Sequence, residues 1–149
     1  DVCSSDLLTL EAADNLLASS TVGTNSREEI TFTRGLALEL LGRGDDAVVA
    51  WEELTSDLNH IYGTKAAFYL AQHFYNSGNL QQARVYAEKI IDANPPHNYW
   101  VARTFILLSD VNRAEGNTFE ADEYLKVLKE NYPGSEADIF TMIQERLNN

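Results

Sequence analysis

The chain has 149 residues, 44% of them apolar and 10% aromatic, which is enough to build a core, and it holds no run of 18 or more apolar residues. Its formal net charge of −12 argues against a nucleic-acid partner, because neutralising phosphates requires clustered lysine and arginine. The charge is uneven: residues 1–63 hold twelve acids against three bases (−9) and the remainder eleven against eight (−3), so any anionic contact is expected in the C-terminal half.

Taken in chain order, Asp1-Val2-Cys3-Ser4-Ser5-Asp6-Leu7 resembles the in-frame translation of a sequencing-adapter oligonucleotide. Residues 1–7 are therefore expected to be foreign, with the natural chain a fragment, and Cys3, the only cysteine, is assigned no anchoring, metal-binding or redox role. Leu7, Leu8, Leu10, Ala13, Leu16 and Leu17 predict a helix to Ser19, the second helix of a pair whose first is missing. From there to the C-terminus the chain repeats itself. Segments 28–59, 64–95 and 102–133 each carry a glycine (Gly42, Gly78, Gly116) followed five residues later by an alanine (Ala47, Ala83, Ala121). The glycines recur after 36 and then 38 residues.

Each segment divides into two helical stretches at its glycine. Ala67, Leu70, Ala71 and Phe74 lie at helical spacing before Gly78, and Leu80, Ala83, Ala87, Ile90 and Ile91 lie so after it. Gly78 is expected to supply a left-handed turn and Asn79 to cap the next helix, while Pro95 and Pro133 stop the second helices. Ser26 with Glu29, and Ser135 with Asp138, predict capping boxes. Residues 135–148, with Ile139, Met142, Ile143 and Leu147, predict a terminal capping helix. Ala83 and Ala121 are small enough for antiparallel helices to cross closely, with Ala71, Ser109 and Gly35 permitting the approach from the partner. Trp51 and Tyr86 are assigned to the core between repeats. Alternating large and small residues on both helix faces require each pair to bury a second face, which favours stacking over a closed bundle.

The segment 64–95 resembles a tetratricopeptide repeat, whose pattern is W-x2-L-G-x2-Y, then A-x3-F, then P. Ala67, Leu70, Ala71, Phe74, Ala83, Ala87 and Pro95 stand at those positions. In the third segment Phe105, Leu108, Ala121 and Pro133 agree and Asn112 replaces the aromatic; in the first, Thr31 and Arg34 depart while Gly35, Ala47 and Trp51 agree. The lengthened turn from Pro95 to Trp100 is similar to repeats in bacterial cell-envelope assembly proteins, which implies the periplasmic side of an envelope rather than the cytoplasm.

The resemblance implies an all-α fold: a right-handed α-solenoid of about three helix pairs over residues 8–149, with a preceding helix and a C-terminal capping helix. It further implies a concave groove lined by the first helix of each pair. The groove residues would be Lys65, Phe68, Tyr69, Gln72, Tyr75 and Asn76 in the second repeat, and Arg103, Ile106, Leu107, Asp110 and Arg113 in the third. Arg103 and Arg113 could fork onto a ligand carboxylate, or Phe68 and Tyr69 could instead pack on the neighbouring repeat.

Chemistry is not expected. His60, His73 and His97 lack metal-ligand spacing, no Gly-x-Ser-x-Gly elbow occurs, and Gly42-Arg43-Gly44 is followed by no Gly-Lys-Ser/Thr. The carboxylate pairs Asp45/Asp46, Glu52/Glu53 and Asp122/Glu123 are adjacent on helices and so diverge. No enzyme activity, metal or cofactor is expected. The expected function is a protein–protein interaction scaffold binding a peptide or protein in the groove. The alternatives are a self-associating or spacer element of a longer envelope protein, and the regulatory part of a signalling protein.

Overall fold

The computed structural model describes residues 2–148; Asp1, part of the segment expected to be foreign, lies outside the described residues. Among the described residues eight α-helices follow one another: α1 (Val2–Ala18), α2 (Thr24–Leu40), α3 (Gly44–Glu52), α4 (Ile61–Asn76), α5 (Leu80–Ala93), α6 (Asn98–Ala114), α7 (Thr118–Asn131) and α8 (Ala137–Leu147). A 3-10 turn, Glu53–Ser56, extends α3, and no strand occurs among the described residues. Helices adjacent in sequence pack together, α1 on α2, α2 on α3, α5 on α6 and α6 on α7, with α8 on both α6 and α7. Internal contacts divide the chain into two compact units, Asp1–Ala67 and Phe68–Asn149, the division falling within α4.

The three periodic glycines do the same local job. Gly42, Gly78 and Gly116 have φ of 75°, 80° and 88°, a left-handed conformation that costs a side chain about 1 kcal/mol or more. Around each, the same pair of bonds closes the helix end. The N–H of Arg43, Asn79 and Asn117 donates to the carbonyl of Leu38, Phe74 and Asn112, each at 2.8 Å. The glycine N–H donates to the carbonyl three residues back, at 3.0 Å, 3.0 Å and 3.1 Å. This is a Schellman closure made three times. Asn79 then caps α5 as expected, its Oδ1 accepting from the N–H of Gln82 at 3.1 Å. Before Pro95, α5 ends on Asn94 in a left-handed conformation (φ 45°).

Neither predicted capping box forms. Ser26 lies inside α2, which starts two residues earlier behind an extended Gly23. The start is set instead by Arg27, whose guanidinium reaches back to the carbonyls of Leu17 at 2.9 Å and Ser19 at 2.5 Å, at the end of α1. Ser135 lies outside α8, which opens after Glu136 with no side-chain cap. The Glu136 carboxylate is held by the Tyr132 hydroxyl at 2.5 Å, which sets where the turn ends.

In the N-terminal unit, Leu10 and Ala13 of α1 are buried while Leu7, Leu8 and Leu16 stay exposed. Arg34, the departure from the repeat pattern, pairs with Asp14 of α1 at 2.6 Å. Trp51, fully buried, lies on Gly35 within its own helix pair and donates from Nε1 to the Phe32 carbonyl at 3.2 Å. In the C-terminal unit, Tyr86 stacks on Phe74 with ring centroids 5.8 Å apart, again inside its own pair. Ala83, Ala87 and Ile90 of α5 and Ala121 and Leu125 of α7 are fully buried. Ala102, Ile106, Leu125, Leu128, Ile139 and Ile143 join α6, α7 and α8 in one apolar cluster. Burying Ile139 and Ile143 against this cluster, at about 25 cal/mol per Å², holds α8 in place.

Asn112 replaces the pattern's aromatic and is 2% exposed. Its Oδ1 accepts from Arg84 of α5 at 2.7 Å, and the same guanidinium meets Glu115 at 2.6 Å. The buried amide is therefore satisfied, and a polar clamp joins α5 to α6 where the family pattern would place a ring.

Candidate functional site

Within the C-terminal unit, α4, α6 and α8 turn polar side chains into an open hollow of about 500 Å³, lined by Gln72, Tyr75, Asp110, Arg113, Glu145 and Arg146. Helical spacing explains the first four. Gln72 and Tyr75 are three apart on α4, as are Asp110 and Arg113 on α6, so each pair shares a face. Gln72 Nε2 donates to Asn76 Oδ1 at 2.9 Å, which fixes the amide across one turn.

The charges in the hollow are largely committed. Arg146 of α8 forks onto Asp110, Nε to Oδ1 at 2.7 Å and Nη2 to Oδ2 at 2.8 Å, and Nη1 donates to the Met142 carbonyl at 3.1 Å. The bond to Asp110 raises the Arg146 pKa against the opposing effect of burial. Arg113 donates to Asp122 of α7 at 2.7 Å and, more weakly, to the Arg146 carbonyl at 3.5 Å.

Arg103 differs. Its Nη1 donates to the Tyr99 hydroxyl at 3.0 Å, and Tyr99 in turn donates to Asp138 of α8 at 2.6 Å. Burial, and then the bond to Asp138, raise the Tyr99 pKa, so this hydroxyl stays protonated. The guanidinium of Arg103 lies over Phe68, 5.0 Å from the ring centroid, and within 6.0 Å of Trp100. No carboxylate pairs with Arg103 among the described residues. It is a partly exposed cation held by rings rather than by an acid.

The sequence-derived residues fall into three groups. Gln72, Tyr75, Asp110 and Arg113 meet in the hollow, with Asn76 bonded to Gln72 at its edge. Phe68, Ile106 and Leu107 are each 2% exposed, so they are core. Phe68 is covered by Arg103 and lies 5.4 Å from Trp100, the packing on the neighbouring repeat that the sequence left open, while Tyr69 is part-buried 6.1 Å from Trp100. Lys65 belongs to the N-terminal unit, where its ammonium lies 5.1 Å from the Tyr62 ring centroid and 5.7 Å from that of Phe32. Sequence reasoning missed Glu145 and Arg146. The signal available for Arg146 was an aspartate at a groove position of α6, facing a terminal helix whose last turn carries an arginine.

Hairpins of paired helices, each turned at a left-handed glycine, define an α-helical repeat protein. Residues 99–135, which span α6, α7 and the turn beyond them, match the family described as Tetratricopeptide repeat, so this segment is similar to such a repeat. Repeats of this family generally mediate protein–protein interactions and typically scaffold rather than catalyse. No curated protein and no solved structure matches the chain. No helix among the described residues is long and apolar enough to cross a membrane. No cluster of three or more histidine, cysteine, aspartate or glutamate side chains among them could hold a metal ion.

Proposed function

We propose that the chain is an interaction module that holds a carboxylate-bearing peptide of a partner protein in the groove of its C-terminal unit. The observation that supports this most is Arg103, a cation with no carboxylate partner among the described residues, seated on Phe68 and Trp100 about two helical turns from Asp110 on the same face of α6. Rings that fix a guanidinium remove much of the entropy a long side chain would lose on binding, which leaves its forked donors ready for a carboxylate. Gln72, Tyr75 and the remaining donors of Arg113 line the way along α4 and α6. Asp110, neutralised by Arg146, does not repel an acidic ligand.

Panning a random peptide library against the full chain, then measuring the recovered peptides against variants, tests this. Arg103→Glu, alone and with Arg113→Glu, is expected to weaken binding about tenfold or more, the loss of one charge-assisted bond or greater. The mass in solution should not change. Recovered peptides that bind the double variant as well as the wild type would remove the groove from the account. A change in mass instead supports the second reading, in which the repeats self-associate or space other domains of a longer chain.

A further inference from the structure

A second hollow lies on α6 and α7, roughly a third of a turn around α6 from the polar groove. Val101, Ala102 and Phe105 of α6 face Tyr124, Val127 and Leu128 of α7 across a pocket of about 260 Å³. A shallower hollow of about 470 Å³ continues from it, sharing Phe105, Tyr124 and Val127 and adding Phe119. Phe119 is 77% exposed and Val127 56%, on a helix whose opposite side is already buried in the core. From Phe119 to Asn131 this apolar strip runs about 18 Å along α7, the length of roughly three helical turns. A strip of that size with a pocket at one end is the kind of surface that takes a partner helix.

Charge selects the occupant. The charged side chains that line the two hollows are both acids, Glu120 and Glu123. Glu123 is bonded to Lys126 at 2.9 Å, whereas Glu120 has no cation partner among the described residues. The chain as a whole carries −12, so a second copy would bring an acidic surface against an acidic rim, which like charge opposes. We propose that this strip docks a basic amphipathic helix of a partner protein. An aliphatic or aromatic side chain of that helix enters the deeper pocket, and its lysines or arginines meet Glu120, the acid of the rim that no cation of this chain holds among the described residues. The site is independent of the polar groove and shares no side chain with it.

The test titrates the full chain into labelled peptides of about 14 residues, roughly four helical turns. One is an amphipathic leucine–lysine helix, one has glutamate in place of every lysine, and one is a scramble of the first with no apolar face. The first is expected to bind about tenfold or more tighter than either of the others. Val127→Arg and, separately, Phe119→Ser should each weaken it about tenfold, while Arg103→Glu in the groove leaves it within about twofold. Both strip positions are exposed, and unchanged thermal unfolding by circular dichroism shows that these variants fold. Equal binding of the scramble or the acidic helix overturns the proposal, as does unchanged binding to both strip variants. Loss of binding in Arg103→Glu places the occupant in the groove and also overturns it. So does a concentration-dependent dimer abolished by Val127→Arg, because the occupant is then a second copy.

Discussion

At Gly35 the chain passes so close to Trp51 that a Cβ built there would lie 2.2 Å from the indole Nε1. Two effects compete in Gly35→Ala. Alanine gains about 0.5–1 kcal/mol as the better helix residue, but an overlap this deep must displace an indole that is fully buried and bonded to the Phe32 carbonyl. Overpacking, at about 1–3 kcal/mol, wins, so urea unfolding should show a net loss of about 1–2 kcal/mol. Ser109 runs the other way. It is fully buried, and its hydroxyl finds no hydrogen-bond partner among the described residues. Ser109→Ala removes a desolvated polar atom at almost constant volume and should stabilise the protein by about 1 kcal/mol, a rise of about 2–4 °C in Tm. A fall in Tm would mean the hydroxyl has a partner. The sequence marked both positions as small for close approach, which is a matter of side-chain size. That one is pressed by tryptophan and the other holds an unsatisfied hydroxyl depends on facing residues that size does not reveal.

At the scale of the helix, beginnings and ends were unequally legible. Most ends could be read because a left-handed residue before a new helix favours glycine, and that preference recurs at Gly42, Gly78 and Gly116, with Asn94 taking the same conformation at the end of α5. The beginnings at Thr24 and Ala137 could not, because they depend on Arg27 reaching α1 and on Tyr132 holding Glu136 rather than on a local cap. The second of these makes a pH prediction. The Tyr132 hydroxyl, donating to Glu136, lowers the pKa of that carboxyl below the ordinary carboxylate range. Folding therefore favours the ionised form. The contribution is complete above the unfolded carboxyl's pKa, about 4.3, and is lost as pH falls through the lower folded value. Thermal unfolding followed from about pH 5 to about pH 2 should fall more steeply for the wild type than for Glu136→Gln. Parallel curves would show that the bond does not discriminate between charge states.

For the molecule as a whole, a charge of −12 on 149 residues makes self-repulsion a standing cost of the folded state. Raising salt from about 10 mM to about 200 mM shortens the Debye length from about 30 Å to under 10 Å and should raise Tm. A Tm that falls would mean the ion pairs, such as Arg84 with Glu115 and Arg146 with Asp110, contribute more than the repulsion removes. Helix pairing was readable along the chain because its causes are local: an apolar stripe, a small residue at a crossing, and a glycine every 36 to 38 residues. Which charges remain available for a partner was not. Asp110 is joined to Arg146 and Tyr99 to Asp138, 36 and 39 residues apart. Arg103 is left to the rings of Phe68 and Trp100. Those pairings arise when helices distant in sequence pack together, and no spacing within a single helix encodes what another helix will place opposite it.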